Sequence, residues 1–144
     1  MGRVTSTDPS GALRELSLPP TSFVFVVSDF LAPPDEEAWA EASARGFDLV
    51  PVVVQDPVWE QSFPAVGGCV LPLADPLTGS VRPVRLTRGE ALDRARANEE
   101  RLERLGECFW ALGIEHVTLA SSDPAHVLDR FLVWADGRRS GWPR

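Results

Sequence analysis

Thr21-Ser22-Phe23-Val24-Phe25-Val26-Val27-Ser28-Asp29-Phe30 is the stretch whose reading decides the fold. Phe23 to Val27 are uninterrupted apolar β-formers, and a short run without alternation suits a strand covered on both faces, as in parallel sheets. It stops at Ser28-Asp29, a polar turn. Immediately downstream, residues 32–45 read as a helix. Pro33 and Pro34 suit its first turn, Asp35-Glu36-Glu37 complement its positive end, and Gly46 is a stop. Ala38, Trp39, Ala42 and Ala44 supply a small apolar face. A second strand follows, Leu49-Val50-Pro51-Val52-Val53-Val54, ending at Gln55-Asp56-Pro57. Pro51 cannot donate to a ladder, so a bulge or a late start is expected there.

Further out, Cys69-Val70-Leu71-Pro72-Leu73 and Val81-Arg82-Pro83-Val84-Arg85-Leu86 flank the turn sequence Asp75-Pro76-Leu77-Thr78-Gly79. A β-hairpin attached to the edge or end of the sheet is the reading. Thr87–Leu112 is the longest helix. Thr87-Arg88-Gly89-Glu90 forms a capping box, Leu92, Ala95, Leu102, Leu105, Cys108, Phe109 and Leu112 make its apolar face, and Gly113 stops it. A short strand, His116–Ala120, comes next. Asp123 then caps a last helix with Pro124 in its first turn. Val127, Leu128, Phe131, Leu132 and Trp134 are its inner face, and Gly137 its end. Upstream, Pro9–Leu16 has helical character until Pro19-Pro20.

Strand, helix, strand, hairpin, helix, strand, helix is the order of an α/β fold, a mainly parallel sheet with helices on both faces. The expected organisation is an N-terminal segment over 1–20, partly ordered, one α/β domain over 21–137, and a frayed tail over 138–144. At 144 residues the chain can bury one sizeable core. A net charge of −7 argues against nucleic acid and against anionic membrane surfaces. No apolar run spans a bilayer and no signal-peptide core is present, so a cytoplasmic protein is the expectation. All fourteen basic residues are arginine and tyrosine is absent, which removes P-loop and Schiff-base lysines and tyrosine acid–base chemistry. Cys69 and Cys108 lack metal-ligand or redox spacing, and Cys108 reads as a buried, inert thiol.

Ligands of parallel sheets bind beyond the carboxyl ends of the strands, where this chain places Ser28-Asp29, Gln55-Asp56 and Ser121-Ser122-Asp123. Asp123 is explained by capping and Asp56 by turn chemistry. Asp29 precedes its helix by several residues and is the acid least accounted for structurally. Of the aromatics, Trp110 and Trp134 read as core, while Trp59 and Phe63 lie in a loop near the strand ends and read as interface anchors. A hydrolase would draw on Asp29, or on Ser122 with His126, but no Gly-x-Ser-x-Gly elbow accompanies that pair.

Phe25-Val26-Val27-Ser28-Asp29-Phe30, the Trp39 helix, residues 48–56, the Asp75–Gly79 turn and residues 113–123, taken in order, resemble the C-terminal part of the von Willebrand factor A-like region in the domain of unknown function 58 family. The resemblance implies a truncated A-like (Rossmann-like) fold with an added hairpin and a metal-ion-dependent adhesion site holding Mg²⁺ through oxygen ligands. Asp29 would match the late Asp of that site and Thr7 its Thr. The Asp-x-Ser-x-Ser element occurs nowhere in the sequence, so the site is expected to be vestigial, with weak Mg²⁺ binding at most and no cofactor. The resemblance further implies a protein-binding role with a MoxR-type AAA+ ATPase as partner. The family's first strands are missing, which leaves Phe23–Val27 as an unpaired edge. Residues 1–20 would cover that edge, or two chains would meet there as a homodimer through Phe23 and Phe25. A non-catalytic interaction and assembly module is the first expectation; a metal-dependent or serine-type hydrolase is the alternative.

Overall fold

The computed structural model describes residues 8–58, 68–75 and 78–140. The elements, in chain order, are α1 (Pro9–Arg14), β1 (Phe23–Ser28), α2 (Glu36–Ala44), β2 (Asp48–Val54), β3 (Cys69–Ala74), β4 (Val81–Leu86), α3 (Arg88–Ala111), β5 (Val117–Leu119) and α4 (Pro124–Arg139). Two compact units share them. Residues 1–55 and 105–144 form one, and residues 56–104 the other.

The larger unit carries a three-stranded parallel sheet in the order β1-β2-β5, with helices on both faces, a Rossmann-like arrangement. β1 pairs with β2 without interruption, from Phe23 opposite Asp48 to Ser28 opposite Val53. Successive side chains of a strand point to opposite faces, so the register sorts the residues. Val24 and Val26 with Leu49 and Val53 face α2 and the last turns of α3. Phe23, Phe25 and Val27 with Val50 and Val52 face α4.

On the first face Phe30, Trp39 and Phe109, all fully buried, form an aromatic triad with centroids 5.5–6.3 Å apart, joined by Leu13, Ala38, Ala42, Leu105 and Ile114. Phe109 meets both other rings edge-to-face, an arrangement that adds about 0.5–1.5 kcal/mol per pair beyond the area buried. α1 packs on α2. Arg14 pairs with Asp35 at 2.9 Å and Glu41 at 3.2 Å, and Arg45 donates to the carbonyls of Leu13, Arg14 and Leu16, the acceptors that the end of α1 leaves open. On the second face α4 lies across the sheet. Phe131 and Trp134 meet Phe25 edge-on, and Arg138 reaches Asp48 at 2.8 Å and Glu115 at 3.1 Å.

Pro51 needs no bulge. The Asp48 amide donates to Ser22 O and the Gln55 amide to Leu119 O, so even-numbered residues of β2 bond β1 and odd-numbered ones bond β5. Pro51 would therefore aim its missing N–H at β5, whose pairing begins only opposite Val52. No ladder bond is lost. α2 likewise begins later than the sequence suggests. Pro33 and Pro34 each push the residue before them out of the helical region, and Asp35 becomes the cap, accepting from the Ala38 amide at 2.7 Å.

Several other expectations give way. Gly137 does not end α4, which continues to Arg139. Arg138, expected in a frayed tail, is fixed by its two carboxylates and stacks over the rings of Phe23 and Trp134. Leu128 and Leu132 are not inner-face residues. Val127, Phe131 and Trp134 take the sheet, and the two leucines point to the side, 60% and 54% exposed. Trp110 is not core but 85% exposed, because Phe109 beside it takes the inward position. β1 is covered unequally: its burial alternates, with Val24 buried on the first face while α4 covers Phe23, Phe25 and Val27 only in part on the second.

In the smaller unit β3 and β4 pair antiparallel from Cys69 opposite Leu86 to Ala74 opposite Val81. Asp75 and Gly79 close the hairpin, Gly79 in the left-handed region at φ 69°. This is a separate two-stranded sheet rather than an addition to the parallel one. Pro72 and Pro83, opposite each other, deprive both strands of donors. The Thr87–Glu90 capping box forms as expected, the Thr87 amide donating to Glu90 Oε2 at 2.8 Å and the Glu90 amide to Thr87 Oγ1 at 3.2 Å.

Candidate functional site

Two surfaces hold the described residues singled out by sequence: the carboxyl ends of the parallel strands and the free edge of β1. At the first, Ser28 Oγ accepts from the Phe30 amide at 3.0 Å and Asp29 Oδ1 from the Leu31 amide at 3.1 Å. These nested turns hold Phe30 at φ 51°, a left-handed conformation rare for a bulky residue, and drive its ring into the core. Asp29 is thereby carried at the strand end as part of a turn. Asp56 Oδ1 accepts from the Val58 amide at 2.8 Å, and Asp123 caps α4 through the Ala125 amide at 2.9 Å, so both acids do the local work expected of them.

Thr7, Trp59 and Phe63 lie outside the described residues. Among the described residues no three His, Cys, Asp or Glu side chains stand close enough together to hold a metal ion. No hydrogen bond joins Ser122 to His126, whose Nε2 is buried without a partner. Cys108 is half-buried and free; burial, and after it the Glu36 carboxylate, raises its thiol above the ordinary value.

The second surface is more coherent. The Asp48-to-Ser22 bond sets the ladder so that even-numbered residues of β1 spend their amides on β2. The N–H and C=O groups of Phe23, Phe25 and Val27 consequently point outward from the sheet. No described residue bonds them, and α1, packed on α2, does not cover them. Their side chains are 58%, 49% and 65% exposed. Leu128 and Leu132 stand beside Phe131, on the flank of α4 opposite Arg130, whose guanidinium bonds Thr118 O in β5. They therefore overhang the β1 side. Sequence reasoning identified Phe23 and Phe25 but assigned the two leucines to the core. The available signal was the breadth of the apolar arc on α4, wider than the ~100° that one docking face consumes.

Among the described residues no helix is long and apolar enough to cross a membrane. No curated protein and no solved structure matches the chain. Residues 4–104, more than half of the sequence, match the family described as Protein of unknown function DUF58. The chain belongs to that family.

Proposed function

We propose that this chain is a non-catalytic protein-interaction and assembly module whose docking element is the outer edge of β1. The observation that carries the reading is a strand with its hydrogen-bonding groups outward and three apolar side chains 49–65% exposed on one face, flanked by Leu128 and Leu132. Natural edge strands are usually blunted by charge, proline or a bulge. From Phe23 to Ser28 there is none of these. A strand supplied by a protein partner would satisfy the outward amides, and its side chains would cover the aromatic face, the geometry of β-augmentation. Asp29 is in this reading a turn residue that fixes the strand's end.

A photoreactive phenylalanine analogue placed at Phe25, and separately at Val133 on the far side of α4, tests the proposal in cells producing the chain. Protein adducts should form at position 25 and not at position 133. Equal yields at the two positions would refute an edge-specific docking element.

A further inference from the structure

We infer that the occupant of the β1 edge is a second copy of this chain, its β1 running antiparallel to the first about a twofold axis through Phe25. The inference rests on the docking reading above and adds its register. Phe23, Phe25 and Val27 direct both backbone groups outward, so they must form the hydrogen-bonded pairs of any antiparallel ladder on this edge. A twofold perpendicular to the sheet keeps each face with its like and pairs only residues of the same parity. Centring it on Phe25 places Phe25 against its own copy, Phe23 against Val27, Val24 against Val26 and Ser22 against Ser28. Every pair is apolar with apolar or hydroxyl with hydroxyl, so the strand is complementary to itself.

Charge supports the same occupant. Each chain carries −7, yet nothing charged lies between Ser22 and Ser28, so two like-charged molecules meet here without opposed charges. At each end of the paired strands, Arg138, held over the Phe23 ring at 5.6 Å, comes beside the end of the other strand that carries Asp29. The twofold also sets both copies of α4 on one face, where Leu128 and Leu132 of one meet those of the other over the paired Phe25 rings. The two parallel sheets would join as one sheet in the order β5-β2-β1-β1-β2-β5.

Light scattering on the purified chain, with cysteine pairing in a Cys69→Ser, Cys108→Ser background, tests this. A dimer is expected with Kd on the order of micromolar, weakened about 100-fold or more by Phe25→Asp, which sets two carboxylates face to face. Hydrogen-bonded antiparallel pairs have Cα atoms about 5.5 Å apart, within disulfide reach. Phe25→Cys should therefore cross-link to itself under mild oxidation. Phe23→Cys and Val27→Cys should cross-link with each other when mixed, and neither alone. A monomer up to ~200 µM, or a dimer indifferent to Phe25→Asp, overturns the proposal. A monomer that still yields adducts to another protein at position 25 overturns self-pairing while leaving the docking reading standing.

Discussion

Replacing Phe30 by alanine and, separately, by glycine should invert the usual order of those two substitutions. At ordinary positions glycine is the worse choice by roughly 0.5–1 kcal/mol, because it has more backbone freedom to lose. Phe30 sits at φ 51° with its ring fully buried against Trp39 and Phe109. Removing the ring costs either variant about 3–5 kcal/mol in transfer and cavity terms, a large share of the ~5–15 kcal/mol typical of a domain. The left-handed backbone costs an L-residue roughly 1–2 kcal/mol, which alanine keeps and glycine sheds. Phe30→Gly should therefore be more stable than Phe30→Ala by about 1 kcal/mol. Urea titration followed by tryptophan fluorescence would show this as a midpoint higher by roughly 0.3–1 M, given slopes of about 1–3 kcal/mol per molar. An alanine variant equal to or more stable than the glycine variant would refute the left-handed turn, and with it the account of how Asp29 is held.

Three further perturbations follow from the same geometry. Arg138→Ala removes two ion pairs and the stacking on Phe23 and Trp134, and should cost about 1–2 kcal/mol in urea unfolding, less at high salt; no change would return Arg138 to a frayed tail. The backbone bond from Ala38, with help from Ser10 and Arg14, holds the Asp35 carboxyl below its ordinary value. A depressed carboxyl stabilises the fold above its unfolded pKa and loses that contribution as pH falls through the folded one, so the advantage of wild type over Asp35→Asn should shrink below about pH 4. An advantage independent of acid would contradict that assignment. The Cys108 thiol, raised by burial, should alkylate more slowly at neutral pH in the folded chain than in urea, measured in a Cys69→Ser background.

The sequence by itself determined what depends on neighbours along the chain. The Thr87–Glu90 box, the Asp123 cap with Pro124, the acids used as turn residues and the order of strands and helices all rest on contacts within a few residues, and all are found where they were read. Failures arise wherever two segments distant in sequence decide. An apolar run such as Phe23–Val27 looks the same whether one face or both are covered, and only the placement of α4 fixes that. Pro51 looks disruptive until the parity of the β1–β2–β5 ladder shows its nitrogen directed where β5 has not begun. Leu128 and Leu132 carry the same hydrophobicity as Phe131, and the angle at which α4 crosses the sheet leaves them outside. Arg138 reads as tail because its carboxylate Asp48 is ninety residues away. The candidate edge was therefore legible as an apolar strand. Its exposure, its outward amides and its self-complementary register belong to the tertiary structure, because hydrogen-bond direction and side-chain coverage are set by which strands and helices become neighbours.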